Sequence, residues 1–148
     1  MPGRMTTPIK VIEQSMSEAV QYRLRLVAKA LCNAGEQCII EAREHGDYSD
    51  WSGNLRSSIG YAVLIDGKVF QLAMVEKTLN GDKGTTEGLA FLKTRIAKAS
   101  KKGVVLIVTA GMNYADYVET KKNVLSSAKL QAPRIAKELL ARLGFKVK

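Results

Sequence analysis

The sequence predicts an α+β fold: a long N-terminal helix, a small, mostly antiparallel sheet of three or four strands, covering helices and a C-terminal helix. Three observations lead there. Val20, Leu24, Val27, Leu31, Ala34 and Cys38 follow the 4-3 spacing of one helical face. Two apolar runs flank Asp66-Gly67, a strong short-range hairpin signal. Val104 to Val108 is a run of mostly β-branched residues that reads as a buried strand.

Residues 1–8 are small and polar, punctuated by Pro2, Gly3 and Pro8. They read as a flexible arm ahead of a single domain, 9–148. The long helix is expected from about Ser15 to Glu44. Some 30 residues at 1.5 Å each make about 45 Å, long for so small a domain. Part of it is therefore expected to project or to pack on a neighbouring subunit. Gly46 in His45-Gly46-Asp47 is the expected left-handed stop. Residues 47–60 read as a polar turn, with Trp51 anchoring it and a helical turn at Leu55-Arg56-Ser57 tucking Leu55 and Ile59 inward.

The hairpin strands are Tyr61 to Ile65 and Lys68 to Val75. A polar loop over 78–88 follows, with Thr85 or Thr86 as N-cap of a helix carrying Leu89, Leu92, Ile96 and Ala99. That helix is expected to end at Ser100 to Gly103, with Lys101 and Lys102 in its last turn. After the next strand, Ala110-Gly111 turns the chain and Asn113 N-caps a short helix over 114–120. Val124-Leu125 reads as extended. Ser126 or Ser127 opens the last helix, which runs to Leu143-Gly144 with the stripe Ile135, Leu139, Leu140 and Leu143. Pro133 either kinks it or begins its second half. The helices are expected to cover one face of the sheet.

Of the 148 residues, 46% are hydrophobic and 25% charged, which excludes a disordered chain or a disulfide scaffold. The longest apolar runs are five residues, Tyr61 to Ile65 and Val104 to Val108, against about 20 for a membrane span. The first ten residues lack the apolar stretch of a secretory signal, so assembly in the cytoplasm is the expectation. Cys32 and Cys38, six apart on one helix, are about 9 Å apart along its axis, beyond the roughly 7 Å that a disulfide spans. They read as free, buried thiols, and with a single histidine, His45, no structural zinc site can be built.

Charge is divided unevenly. Residues 1–92 hold ten Lys/Arg and eleven Asp/Glu, a net −1; residues 93–148 hold thirteen and three, a net +10. Lys93, Arg95, Lys98, Lys101 and Lys102 lie on or just after one helix, and Lys129, Arg134, Lys137 and Arg142 on another. They are candidate contacts to DNA phosphates or to an acidic partner. A solvated helix face that keeps the protein soluble is the plainer role for such charge. No aromatics are interleaved among residues 93–102, as base stacking would want.

Candidate chemistry is sparse. Gly81-Asp-Lys-Gly84 before Thr85 lacks the spacing of a phosphate-binding P-loop. Asp47, Asp50 and Asp66 lie in expected turns, where Asp is common for turn reasons alone. No nucleophile elbow or Cys/His pair stands out. The sequence therefore points away from an enzyme and names no catalytic residue, cofactor or metal ligand. Tyr114, Tyr117 and Glu119 form the densest polar-aromatic cluster, suited to packing or subunit contact.

Two motifs carry a resemblance. The first is Ser52-Gly-Asn-Leu-Arg-Ser-Ser-Ile-Gly60, ahead of a strand hairpin. The second is Ala110-Gly-Met-Asn-Tyr-Ala-Asp-Tyr-Val-Glu119, followed by Asn-Val-Leu-Ser-Ser-Ala and a long last helix. In that order they resemble the small head–tail connector, or tail-component, proteins of long-tailed double-stranded DNA bacteriophages and prophages, over roughly residues 15–143. Many relatives continue after the second motif with an aromatic and Gly-Thr; this chain has Thr120-Lys-Lys-Asn-Val-Leu, which leaves open tail completion, head closure or tail terminator. The resemblance implies a non-enzymatic structural protein of the virion neck, a homo-oligomeric ring between portal-side connector proteins and tail-tube or tail-terminator proteins, with no membrane contact. It makes Gly53, Asn54, Leu55, Arg56, Tyr114, Tyr117 and Glu119 the expected interface residues. It also gives the basic last third a role, against DNA in the channel or against an acidic neighbouring ring. A small basic nucleic-acid-binding protein is the alternative that rests on charge alone.

Overall fold

A computed structural model describes residues 8–44, 53–74, 81–112, 115 and 124–146. The first helix, α1, is Ile9–Glu44, 36 residues and about 54 Å long. It begins six residues earlier than the apolar spacing predicts. The Pro8 carbonyl accepts the first helical hydrogen bonds, from the N–H groups of Val11 (3.0 Å) and Ile12 (3.3 Å). Residues 9–23 are exposed except for half-buried Ile12, so no burial pattern marks that start. The buried residues of α1 begin at Ala28 and are mostly small: Ala28, Ala30, Cys32, Ala34, Gly35, Cys38, Ile39 and Ala42. Small side chains let the helix axis lie close to the sheet.

A short helix, α2 (Asn54–Ser57), leads into strand β1 (Ile59–Ile65) and then β2 (Lys68–Met74). The hairpin is as expected. Asp66 (φ 49°) and Gly67 (φ 82°) both take positive φ, the backbone of a type I′ turn whose twist matches the strands. Helix α3 (Asp82–Lys98), strand β3 (Val104–Ala110) and helix α4 (Ser126–Arg142) complete the chain. The strand order is β2-β1-β3, both pairings antiparallel, with Tyr61 between Ala73 and Val108.

Helices cover both faces of this sheet, not one. Alternation along β1 sends Ile59, Tyr61, Val63 and Ile65 to one side, where they join Ala28, Cys32, Cys38, Ile39 and Ala42 of α1 and Ala128 of α4 in the main core. Gly60, Ala62 and Leu64 point to the other side, under α3, whose Gly84, Gly88 and Leu92 are buried. The central strand is buried on both faces, which is why its sequence reads as a continuous apolar run rather than an alternation.

Three further expectations are corrected. α3 starts at Asp82, not at Thr85 or Thr86, whose hydroxyls bond back to the carbonyls of Gly81 (3.3 Å) and Asp82 (3.0 Å) inside the helix. It ends at Lys98, because Ala99 is extended (ψ 162°), so Arg95 and Lys98 occupy the last turn and Lys101 and Lys102 lie beyond it. Val124 and Leu125 form a bend, not a strand; Leu125 has ψ −5°. Helix α4 runs through Pro133, which has no N–H to give the carbonyl of Lys129. The expected arm, apart from Pro8, lies outside the described residues. So do His45-Gly46-Asp47, Asp50, Trp51, Ser52 and most of the helix expected over 114–120. Among the described residues no helix is long and apolar enough to cross a membrane.

One buried polar atom has no partner among the described residues, the hydroxyl of Thr109, opposite Gly60 on the α3 side of the sheet. Removing a buried, unpaired hydroxyl while keeping its shape is favourable. Thr109→Val is expected to stabilise the fold by about 1 kcal/mol, read as a higher urea midpoint at unchanged slope. A lower midpoint would show that the hydroxyl has a partner.

Candidate functional site

The first motif folds into a junction between elements. Gly53 takes φ 76° and caps α2, and its carbonyl accepts the Ser57 N–H at 3.0 Å. Asn54 turns its side chain to α3, where Oδ1 accepts the N–H of Gly84 at 3.0 Å. That N–H is one of the first-turn donors a helix cannot satisfy itself, so α3 is capped from a different element. Arg56 reaches the other way: Nε donates to the Arg43 carbonyl (3.3 Å) in the last turn of α1, where positive charge suits the macrodipole. Ser58 Oγ donates to the Leu55 carbonyl (2.6 Å), and the Ser58 carbonyl accepts the Gly111 N–H (3.2 Å).

Leu55, 2% exposed, packs in a second core cluster with Met112, Ala115 and Val124. Met112 and Ala115 belong to the second motif. The two motifs, more than 50 residues apart in the chain, thus meet in one buried patch. Of the expected interface residues, Gly53 and Leu55 face inward and serve the fold; Asn54 and Arg56 are half-buried and bonded to the chain's own backbone. Tyr114, Tyr117 and Glu119 lie outside the described residues.

The basic residues do not share one surface. Lys93, Arg95 and Lys98 are exposed on α3, and Lys101 and Lys102 follow it. Arg95 stacks over the Phe91 ring, 5.8 Å from its centroid. Lys129, Arg134, Lys137 and Arg142 are exposed on α4, in the layer on the opposite face of the sheet. Arg142 is paired with Glu138 at 3.0 Å.

Asp66, Gly84 and the two cysteines have structural roles, while Asp47 and Asp50 lie outside the described residues. The Asp66 carboxylate accepts the Gly103 N–H at 2.8 Å, and the Asp66 N–H donates to the Gly103 carbonyl at 2.9 Å, tying the hairpin tip to the start of β3. Gly84 is used for close packing rather than to cradle a phosphate. Both cysteines are free and buried. Burial pushes both thiols up, helped by Glu36 at Cys32 and Glu41 at Cys38, which keeps them protonated and poor nucleophiles. Among the described residues no cluster of three His, Cys, Asp or Glu could hold a metal.

Two features escaped the sequence reading. An apolar groove of about 460 Å³ lies between α1, β3 and α4, lined by residues such as Leu31, Leu106, Val108, Leu125, Ala132 and Pro133, with Lys129 on its rim. A partly buried network joins Tyr61 OH, which donates to Glu36 Oε1 (2.7 Å) and accepts from Gln71 Nε2 (2.7 Å). The groove depends on how three distant elements pack, and nothing local signals it.

The chain matches no protein-family model, no curated protein and no solved structure. The functional reading therefore stands on the motifs and the geometry alone.

Proposed function

We propose that this chain is a structural protein of the bacteriophage neck, a subunit of the ring that joins the head connector to the tail. It acts by assembly rather than catalysis, and its home is the virion. The observation that carries this reading is the contact between the two motifs. Leu55 of the first and Met112 and Ala115 of the second share one buried cluster. The resemblance therefore concerns a single packed unit, with a hairpin leaving it on one side and a last helix on the other, rather than two unrelated strings. A ring subunit also has use for a long helix whose first half is uncovered by its own domain.

The test is made on particles. Heads and tails produced without this chain are expected to accumulate separately, the heads filled, and to join when the purified protein is added. Electron microscopy of the joined particles should place it between portal and tail tube. Normal joining in its absence would overturn the reading. Density at the head side alone would make it a head-closure ring, and at the tail side alone a terminator.

A further inference from the structure

Strand β3 is an edge. The order β2-β1-β3 gives it β1 on one side and, among the described residues, no strand on the other. Such an edge presents a row of backbone N–H and C=O groups that can pair with another chain, and native edges are usually blunted by charge, proline or a bulge. The other edge, β2, has two of these devices: Lys68, and a register shift where it pairs with Val63 and Leu64. β3 has none. It reads Val-Val-Leu-Ile-Val-Thr-Ala, uncharged and mostly β-branched, and it pairs with β1 without a shift.

The apolar groove lies beside this edge. Helix α1 packs on β1 and β3, and α4 packs chiefly on α1. Leu125, Ala132, Pro133 and Ala136 of the α4 layer therefore stand where a fourth strand would pass, facing Leu106 and Val108 across the groove. Leu106 and Val108 pair with Val63 and Tyr61, so they point to the α1 side of the sheet, and both are only half-buried.

We propose that β3 takes up an extended segment of another protein as a fourth strand, with every second side chain of that segment apolar and seated in the groove. The edge selects extended backbone, because only a chain about 4.8 Å from β3 and along it meets its donors and acceptors. The groove selects the side chains: one face of the added strand lies over Leu106, Val108 and α4, all apolar there. Main-chain bonds supply affinity and the alternate side chains supply specificity. A second copy of this chain fits poorly. Its β3 already carries its own α1 on that face, in the space that α4 fills here. Its β2 would turn Ala73, Gln71 and Lys68 into the groove, since these pair with Tyr61, Val63 and Ile65, and Gln71 is bonded to Tyr61 OH. The partner is therefore a different polypeptide. The site goes beyond the neck reading and does not depend on it.

The probe is a capped synthetic peptide, Thr-Val-Thr-Leu-Thr-Val-Thr with two Glu added for solubility, titrated into the full-length protein. In the free protein the β3 amides that point away from β1 should exchange quickly with solvent; with peptide they should become protected. Two further peptides carry N-methyl groups on alternate residues, one on each row of N–H groups. The one whose methyl groups face β3 loses its main-chain bonds and should bind about tenfold more weakly or worse, while the other should bind like the parent. Pro133→Glu, on an exposed position of the groove wall, should weaken binding by a similar factor, with an unchanged fold confirmed by its urea midpoint. Equal binding of both methylated peptides would mean that side chains alone hold the peptide, and would overturn the inference. So would no protection of β3 at millimolar peptide. Protection of β3 that rises with protein concentration alone would assign the edge to a second copy and overturn it too. None of these outcomes bears on whether heads and tails join without the chain, so the neck reading fails or stands separately.

Discussion

Gly84→Ala is expected to cost about 3 kcal/mol, a large share of the roughly 5–15 kcal/mol that holds an ordinary domain folded. The methyl group of alanine would collide with the Asn54 carbonyl oxygen, and would lie 2.6 Å from both the carbonyl carbon and Cα of that residue. All three are backbone atoms of α2, so no side chain can rotate away. Gly84 N–H also bonds Asn54 Oδ1, and any separation of α3 from α2 stretches that bond. On intrinsic propensity alone the change should help, since alanine is favoured over glycine in a helix by about 1 kcal/mol. A measured loss is therefore a packing effect, net of that gain. Lys83→Ala, one residue earlier and exposed, is the control and should shift stability by less than about 0.5 kcal/mol. Equal urea midpoints for Gly84→Ala and the control would show that α3 does not touch the 54–58 backbone. Gly88 repeats the arrangement one turn on: a Cβ added there would lie 2.5 Å from the Ser58 carbonyl oxygen.

These glycines show where sequence reasoning stops. Gly81, Gly84 and Gly88 in one stretch predicted a loop, because glycine is usually a mark of backbone freedom. The structure instead uses Gly84 and Gly88, one helical turn apart, as a flat face against another element. The spacing of four was visible; what lay opposite was not. The hairpin was legible to the residue at its turn, since Asp66-Gly67 acts locally through its own φ angles. The run at Val104 was legible as a strand for the same local reason. The first residues of α1 were not, because a helix turned to solvent shows no burial period. Nor was the second helical layer, since β1 buries both faces and its unbroken apolar run does not say what covers each.

The candidate site divides along the same line. The motif residues 53–58 could be named from the sequence, but their partners could not: Asn54 finds Gly84 thirty residues on, and Arg56 finds the Arg43 carbonyl thirteen residues back. A count of charges showed that the last third is basic. It could not show that the sheet stands between the cations of α3 and those of α4, which weakens any reading that needs them on one channel wall. DNA contact by one layer and protein contact by the other is compatible with this separation; a single continuous DNA-binding face is not.

Tyr61 is the second position where a large effect is expected, and there two substitutions separate packing from hydrogen bonding. Its side chain is fully buried at the centre of the sheet, with its ring against Gly35 of α1, where an added Cβ would lie 2.5 Å from Cδ2. Tyr61→Ala is expected to cost about 4 kcal/mol, through lost burial and the cavity left between β1 and α1. Tyr61→Phe keeps the ring and removes only the hydroxyl that joins Glu36 to Gln71. Glu36 is half-buried and Gln71 exposed, so both can turn to water, and the loss should be about 1 kcal/mol. Alkaline pH adds a third reading. Burial, reinforced by the Glu36 carboxylate, holds the phenol well above its ordinary value. In the unfolded chain it loses its proton near pH 10, while in the folded chain it does not. Unfolding above that pH therefore releases a proton from Tyr61, and stability falls as pH rises. Tyr61→Phe should lack this share of the alkaline loss, so wild type and variant should converge in stability above about pH 10. Gly35→Ala probes the same contact from the helix side. In the wild-type background its methyl group strikes the Tyr61 ring; in the Tyr61→Ala background it enters the cavity. The double mutant should be more stable than the sum of the two single losses by at least about 1 kcal/mol. Strict additivity would mean that Gly35 and Tyr61 are not in contact, and close approach of α1 to the sheet would no longer account for the small residues along its buried face.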